Sequence, residues 1–361
     1  MLVAAAALLI LLWANTRVLT VRAYQSPTKP TVPSAYYVYH GIAIALEDGK
    51  IGQLDLARYR AHLGGGDVFA EYPRAAAGAS PEFVHYYALD VGYAFVVELG
   101  RLLFPVLPDN YLRVLALQLF VDLASVAFVY YLFSRWSAAL GLAAACGYTA
   151  NAVFVRLVAV PLYYYWDVPI CFAVLGSLLF ALEDPRRARL LLFGAGALLG
   201  FAVWLRASWW PLSFVFFAAC AAWRPLRSKL LPGLAVFGLL AVPLVARASF
   251  ARGSLTLSTR ATWHVALVGL GYYPNAYGFE LNDEHVFDLT REKYGVVPRT
   301  EDYGPHDEAA RREFMAILRR DPGFLARSFL GRLWESALGT TSTSARPYVG
   351  VPNPIHRLLC L

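Results

Sequence analysis

Six apolar stretches dominate the chain between residues 111 and 250 and leave few folds open to it. They run from Tyr111 to Phe133, Ser137 to Val155, Asp167 to Leu182, Leu190 to Leu205, Ser208 to Trp223 and Leu230 to Phe250. Crossing a hydrocarbon core of about 30 Å takes about 20 apolar residues in a helix, so each approaches or exceeds spanning length. With 58% hydrophobic and 16% charged residues among 361, the chain is too apolar for a soluble protein of this size. It reads as an all-α polytopic membrane protein.

Charge then orients the spans. The net charge of +7 comes largely from short loops such as Arg186-Arg187-Ala188-Arg189 and Arg224-Pro225-Leu226-Arg227-Ser228-Lys229. Basic interhelical loops mark the cytoplasmic side, which explains the charge without a nucleic-acid partner. If both loops are cytoplasmic, the two spans between them form a hairpin turning at Arg206. Asp167 and the tyrosines before it then lie on the extracytoplasmic face, Arg135 sits in a cytoplasmic turn, and everything after Phe250 is extracytoplasmic. Cys146, Cys171 and Cys220 fall inside spans and Cys360 next to the end, so they read as packing residues with no disulfide or zinc pattern.

Before residue 111 the pattern is less regular. Met1 to Trp13 is apolar, without a basic start or a cleavage pattern, and reads as an anchoring span. Arg17, Arg22 and Lys29 favour a cytoplasmic placement of the loop that follows. Residues 86–106 are the alternative eighth crossing, but Asp90, Glu98 and Arg101 would enter the bilayer, at about 2.5–3.5 kcal/mol for each central charge. At 100° per residue these three share one face within about 80°, which suits a helix lying flat in the interface. The expectation is therefore seven crossings: a transmembrane bundle over 1–250, with 21–110 a first extracytoplasmic loop, and an extracytoplasmic segment over 251–361. Further interfacial helices are expected at Ala35 to Leu46 and Leu54 to Leu63, the latter ended by Gly64-Gly65-Gly66. In the C-terminal segment a loop from Gly269 to Gly278 and an acidic run from Glu280 to Asp288 precede two basic amphipathic helices, from about Asp307 to Arg320 and from Pro322 to about Leu338. Their arginines alternate with Phe314, Ile317, Leu318, Phe324, Phe329 and Trp334, as a helix resting on an anionic lipid surface requires.

Residues with chemistry gather on the extracytoplasmic side of this scheme. Glu82, Asp90 and Asp167, with His85 nearby in sequence, supply carboxylates for a general base, or for a divalent cation held with a substrate phosphate, Asp90 and Asp167 being its ligands. The plainer alternative is a set of interfacial charges in water or paired with Arg101 and Arg156. Arg206, Arg247 and Arg260 have the guanidinium fork that binds phosphate, or they snorkel. Trp166, Trp209, Trp210 and Trp263 offer flat platforms for a sugar ring, although Trp also favours interfaces generally. Asp122 is different because it falls midway through a span, where it either pairs with a polar neighbour such as Asn151 or carries ions or protons. His264 and His285 show no metal-binding spacing and read as members of a surface loop.

Several sequence fragments, in their common order, resemble the GT-C superfamily of membrane glycosyltransferases, in the branch of protein O-mannosyltransferases and lipid A aminoarabinose transferases. They are Tyr39-x3-Ala43-x2-Leu46-x2-Gly49, Asp90-Val91-Gly92-Tyr93 leading to Leu102-Leu103-Phe104, and Tyr165-Trp166-Asp167-Val168-Pro169 opening a span. Gly196-x3-Gly200-Phe201-Ala202 leading to Arg206, Pro243-x3-Arg247 followed by Gly253 to Thr259, and Phe314-x2-Ile317-x3-Asp321-Pro322-x-Phe324 complete the series. The resemblance implies a GT-C-like bundle and transfer of a sugar from a polyprenyl-phosphate donor to a lipid, glycan or protein hydroxyl at the outer face of the cell membrane. It implies catalytic roles for Asp90, Asp167 and Glu82, and donor-phosphate contacts from Arg206, Arg247 and Arg260. Sugar or acceptor contacts would come from His85, Tyr165, Trp166 and Trp209, and Mg, Mn or Zn is a possible cofactor. Tyr36 stands where many relatives carry a first-loop aspartate, so that acid is missing or replaced by Glu47, Asp48, Glu82 or Asp90. The chain also stops at Leu361, before the additional spans usual in such proteins. The competing expectation is a transporter or scaffold on the same bundle, or an inactive or truncated relative.

Overall fold

A computed structural model describes residues 2–26, 29–30, 34–55, 82–85, 91–107, 110–252, 255–257, 262–273, 275–297 and 303–337. The described chain is all-α apart from two short strand pairs, β1 (Gln25–Ser26) with β2 (Lys29–Pro30) and β3 (Gln53–Asp55) with β4 (Phe83–His85). It divides into two compact units, residues 1–84 with 91–246, and residues 85–90 with 247–361.

The first unit is a helix bundle. Its elements are α1 (Leu2–Tyr24), α2 (Ser34–Glu47), α3 (Gly92–Leu103), α4 (Asn110–Ser134), α5 (Ala138–Ala150) and α6 (Ala152–Val158). A 3-10 turn, Tyr163–Trp166, leads into α7 (Asp167–Glu183), followed by α8 (Ala188–Leu205), α9 (Trp209–Ala222), α10 (Arg224–Arg227) and α11 (Leu231–Arg252). Among the described residues, four stretches are long and apolar enough to cross a membrane: Tyr111–Ser134, Tyr163–Glu183, Ala188–Leu205 and Leu231–Phe250. Ala7–Val21, Ala138–Ala150 and Trp209–Ala222 are apolar but shorter.

Side-chain contacts fix which ends of these helices lie together. Arg135 pairs with Glu183, and the Lys229 ammonium donates to the Pro185 carbonyl. The turn after α4, the α7–α8 turn and the loop before α11 therefore share one end of the bundle. Asp167, at the start of α7, pairs with Arg206, just past α8, at the other end. The two basic loops expected on one side of the membrane thus occupy one end of the bundle, and the hairpin turns at Arg206 as expected.

Helix α8 approaches α11 closely because glycines line the contact. A methyl group added at Gly196 would come 2.8 Å from the Gly233 Cα, and one at Gly200 2.8 Å from the Leu240 Cβ. One turn further along the same face, Trp204 Nε1 donates to the Leu240 carbonyl at 2.7 Å. Small residues four apart are the usual device for bringing apolar helices within backbone contact, since packing must supply what the hydrophobic effect does not in lipid.

Helix α3 has 12 residues, about 18 Å at the helical rise, too short for a hydrocarbon core of about 30 Å. Its buried face is Gly92, Tyr93, Ala94, Val96, Val97 and Gly100, and Arg101 Nη1 pairs with Glu98 at 2.9 Å. Gly92 lies against the end of α8, where an added methyl would sit 2.5 Å from the Trp204 carbonyl carbon. Backbone on both sides leaves no side chain to move aside. Gly92→Ala is expected to cost about 1–3 kcal/mol through overpacking, whereas Gly147→Ala, with nothing within 4 Å, should be neutral or stabilising. Thermal unfolding of both variants in detergent checks this pair.

Three expectations change here. Helix α1 does not end near Trp13 but continues to Tyr24, because Arg17 is neutralised inside the bundle. Leu54 and Asp55 belong to β3, not to a helix; the remainder of that expected helix, with Gly64 to Gly66, lies outside the described residues. The described residues of the C-terminal segment form four helices: α12 (Thr262–Leu270), α13 (Asp283–Tyr294), α14 (Gly304–Arg320) and α15 (Pro322–Ala337). They close on a core of Leu267, Leu270, Phe279, Val286, Ala310, Ile317 and Leu325. Helix α13 takes in the later part of the acidic run from Glu280 to Asp288, and its ends are well marked. Asn282 caps it by accepting from the Glu284 N–H at 3.0 Å, Asp283 and Glu284 fill the first turn, and Gly295 at φ 66° ends it.

Candidate functional site

Asp167 and Arg206, taken separately from the sequence, meet at one end of the bundle. Asp167 opens α7, where a carboxylate suits the helix dipole. Arg206 is extended (φ −156°, ψ 134°) in the turn between α8 and α9; its N–H donates to the Ala202 carbonyl and its carbonyl accepts from Trp209 N–H at 3.1 Å. The Arg206 guanidinium donates to Asp167 Oδ2, and Trp209 Nε1 donates to Asp167 Oδ1 at 2.7 Å. Tyr163 and Tyr164 place their rings 5.5 and 4.8 Å from the guanidinium carbon, each contact contributing about 0.5–1 kcal/mol. The pair is partly open to solvent, at 28% exposure for Asp167 and 23% for Arg206. Arg206 Nε is buried without a hydrogen-bond partner among the described residues, so the guanidinium retains donor capacity beyond its contact with Asp167.

The other residues expected here fall in different settings. Tyr165 and Trp166 are buried in the bundle, at 1% and 8% exposure, and stack edge to face on each other; Tyr164, at 37%, is the more open ring of this run. Trp210 is buried beside Phe214 and Phe237. Glu82 is exposed, its N–H donating to Asp55 Oδ1 at 3.3 Å beside β4. His85 is the last residue of β4, and Arg247 lies near the end of α11, in the second unit. Asp90 and Arg260 lie outside the described residues. Trp263, expected as a sugar platform, packs against Phe314 in the second unit's core, with ring centroids 5.4 Å apart.

Of the two expected cation ligands, Asp167 is described and Asp90 lies outside the described residues. Asp167 already takes a cation and an indole N–H on its two oxygens, and no group of three His, Cys, Asp or Glu side chains able to hold a metal occurs among the described residues.

Deeper in the bundle is a polar cluster whose membership the sequence did not reveal. Arg17 and Asp122 are both fully buried, with Arg17 Nε 2.8 Å from Asp122 Oδ2. Trp13 Nε1 donates to Asp122 Oδ2 at 2.7 Å, the Tyr148 hydroxyl to Asp122 Oδ1 at 2.8 Å, and Arg17 Nη1 to the Thr149 carbonyl at 2.7 Å. The expected pairing of Asp122 with Asn151 is replaced by this set; Asn151 instead accepts from the Phe154 N–H at the start of α6. Arg17 therefore has no bearing on membrane sidedness. The four positions 13, 17, 122 and 148 tie α1, α4 and α5 together.

The second unit contains its own buried polar chain. His264 is not on a surface loop but buried in α12. Its Nε2 lies 3.0 Å from Asp283 Oδ1 and its Nδ1 2.9 Å from His306 Nε2, while His306 Nδ1 lies 2.9 Å from Thr290 Oγ1. Neutral rings satisfy the two histidine links, His264 Nε2–H donating to Asp283 and His306 Nε2–H to His264, while the Thr290 hydroxyl, with one proton to give, lies within reach of both His306 Nδ1 and the Phe287 carbonyl at 3.0 Å. Asp307 adds a cap across helices, accepting the N–H groups of Trp263 at 2.8 Å and His264 at 3.2 Å. Burial, then the neighbouring His264, pull the His306 pKa from 6.5 down to about 4. Between these values the unfolded chain binds the extra proton and the folded one does not, so stability falls as pH drops from about 6.5 towards 4. Amide protection factors in α12, α13 and α14, corrected for the slower intrinsic exchange at low pH, should fall as pH drops across that window in the wild type and respond less in His306→Gln. A flat wild-type profile would contradict the assignment.

Compared with known protein families, with characterised proteins and with solved structures, the chain matches none.

Proposed function

We propose that the chain is a multi-pass glycosyltransferase of the cell membrane, with seven crossings in a GT-C-like bundle and its site facing the extracytoplasmic side. It would transfer a sugar from a polyprenyl-phosphate donor to a lipid, glycan or protein hydroxyl. The observation that carries this reading is the Arg206–Asp167–Trp209 contact, flanked by Tyr163 and Tyr164 at the bundle end opposite the basic loops. A guanidinium held by a carboxylate and an aromatic wall is set to receive a phosphate while keeping its plane fixed. The neighbouring rings suit the apolar faces of a sugar or the first isoprene unit.

In this reading the acceptor oxygen attacks the anomeric carbon as the bond to the prenyl phosphate breaks, inverting the centre. Arg206 stabilises the charge gathering on the departing phosphate. Asp167 positions Arg206, and the acceptor proton passes to a carboxylate, a role the resemblance gives to Asp90 or Glu82. A transporter built around Asp122 is less well supported, because that carboxylate is closed in by Arg17, Trp13 and Tyr148.

Purified protein in nanodiscs, given a panel of polyprenyl-phosphate sugars and membrane-extracted acceptors, should release polyprenyl phosphate from one donor class. Folded protein that releases none from any donor would sink the proposal.

A further inference from the structure

The sequence assigned six apolar residues of the last two helices to one lipid-facing role; the Trp334 side chain lies outside the described ones, and the fold divides the other five. Phe314, Ile317 and Phe324 turn into the second unit's core, while Leu318 on α14 and Phe329 on α15 stay outside it, together with Leu330. Phe329 and Leu330 are each 61% exposed. On α15 the outward residues Pro322, Ala326, Phe329 and Leu330 follow the spacing of a single helical face. Leu325 and Ser328 fill the opposite, buried side.

Arginines border this apolar face. Arg319 and Arg320 are exposed at the end of α14, and Arg327 is exposed on α15. The nearby acids are engaged elsewhere: Glu308 with Arg311 and Arg312, Glu313 with Lys293, and Asp321 with the Phe324 N–H at 2.9 Å. Arg319 and Arg327 have no ion-pair partner among the described residues. Two large exposed apolar side chains rimmed by unpaired guanidiniums match an anionic bilayer interface, where the rings and alkyl groups enter the acyl boundary and the arginines meet headgroups. A protein partner is the weaker match, because this unit begins at Arg247, inside the candidate span Leu231–Phe250. The covalent link keeps the unit at a bilayer surface, and docking there costs far less entropy than recruiting a free partner.

We infer that the face of α15 bearing Ala326, Phe329 and Leu330, with Arg319, Arg320 and Arg327 at its rim, docks on the anionic surface of the membrane that holds the bundle. The inference requires a membrane protein but is independent of the reaction proposed above.

Nitroxide labels test it in the full chain, freed of its four native cysteines, with Ala326→Cys, Phe329→Cys or Leu330→Cys introduced singly. In nanodiscs containing phosphatidylglycerol, all three labels should collide more with oxygen than with a water-soluble nickel complex. That preference should fall in phosphatidylcholine discs, and also when Arg319→Glu and Arg327→Glu are added; an unchanged thermal midpoint keeps misfolding apart. Water-like collision rates in phosphatidylglycerol discs would overturn the inference, and so would labels shielded from both reagents, which would mean that protein covers the face. Equal lipid contact with and without phosphatidylglycerol would remove the arginines' role and overturn the assignment of an anionic surface.

Discussion

Asp122→Asn is expected to cost the bundle about 3–5 kcal/mol, because it leaves the Arg17 guanidinium charged, fully buried and without its counter-ion. Arg17→Met strands the Asp122 carboxylate in the same way, although Trp13 and Tyr148 still donate to it. The double variant Arg17→Met/Asp122→Asn should be less destabilised than the sum of the two. It removes both charges, keeps an acceptor oxygen for the indole and turns an amide N–H towards the Tyr148 hydroxyl oxygen, which can accept it, so that neither polar group is orphaned at about 1–3 kcal/mol. A double-mutant cycle on unfolding in detergent measures this directly. Single variants within about 1 kcal/mol of wild type would show that the cluster is not the pin joining α1 to α4 and α5.

The Asp167–Arg206 pair should behave in the opposite manner. It is about one quarter exposed, so breaking it should cost less than breaking the fully buried pair, about 1–3 kcal/mol for a hydrogen-bonded charge that water can still reach. Removing a preorganised donor from a developing negative charge costs about 10²–10³ in turnover, and Arg206→Gln is expected to lose that much polyprenyl-phosphate release while remaining folded. Arg206→Lys keeps the charge without the fork and should recover only part of the rate. Asp167→Asn should lose activity through misplacement of Arg206, and Trp209→Phe, which removes one donor and keeps a ring, should lose less. Comparable stability losses for the Arg17 and Arg206 variants would contradict the division of labour between the buried pair and the exposed one.

The apolar segments and the shared end of the basic loops were legible because lipid solvation imposes length and charge rules that act on single segments. Arg206 at the hairpin turn, on the same face as Asp167, followed from those rules; their contact did not, because it depends on how the side chains at the ends of α7 and α8 pack. The partners of Asp122 were not legible. Arg17 lies 105 residues away, and a charge just after an apolar run looks like a flank until the helix is seen to continue through it. His264 and His306 were hidden differently. Each is a lone histidine in its local sequence, and only the packing of α12 against α14 joins them. Helix α13 has readable caps at Asn282 and Gly295, but its acidic composition lacks the apolar period that marks a helix in a chain like this.

The most direct test is retention of a polyprenyl-phosphate sugar by the intact protein, followed by native mass spectrometry from nanodiscs for wild type, Arg206→Gln and Gly147→Ala. Retention by wild type and Gly147→Ala, with loss in Arg206→Gln, is the predicted result. Equal retention by all three, or by none, would contradict a donor phosphate held at Arg206.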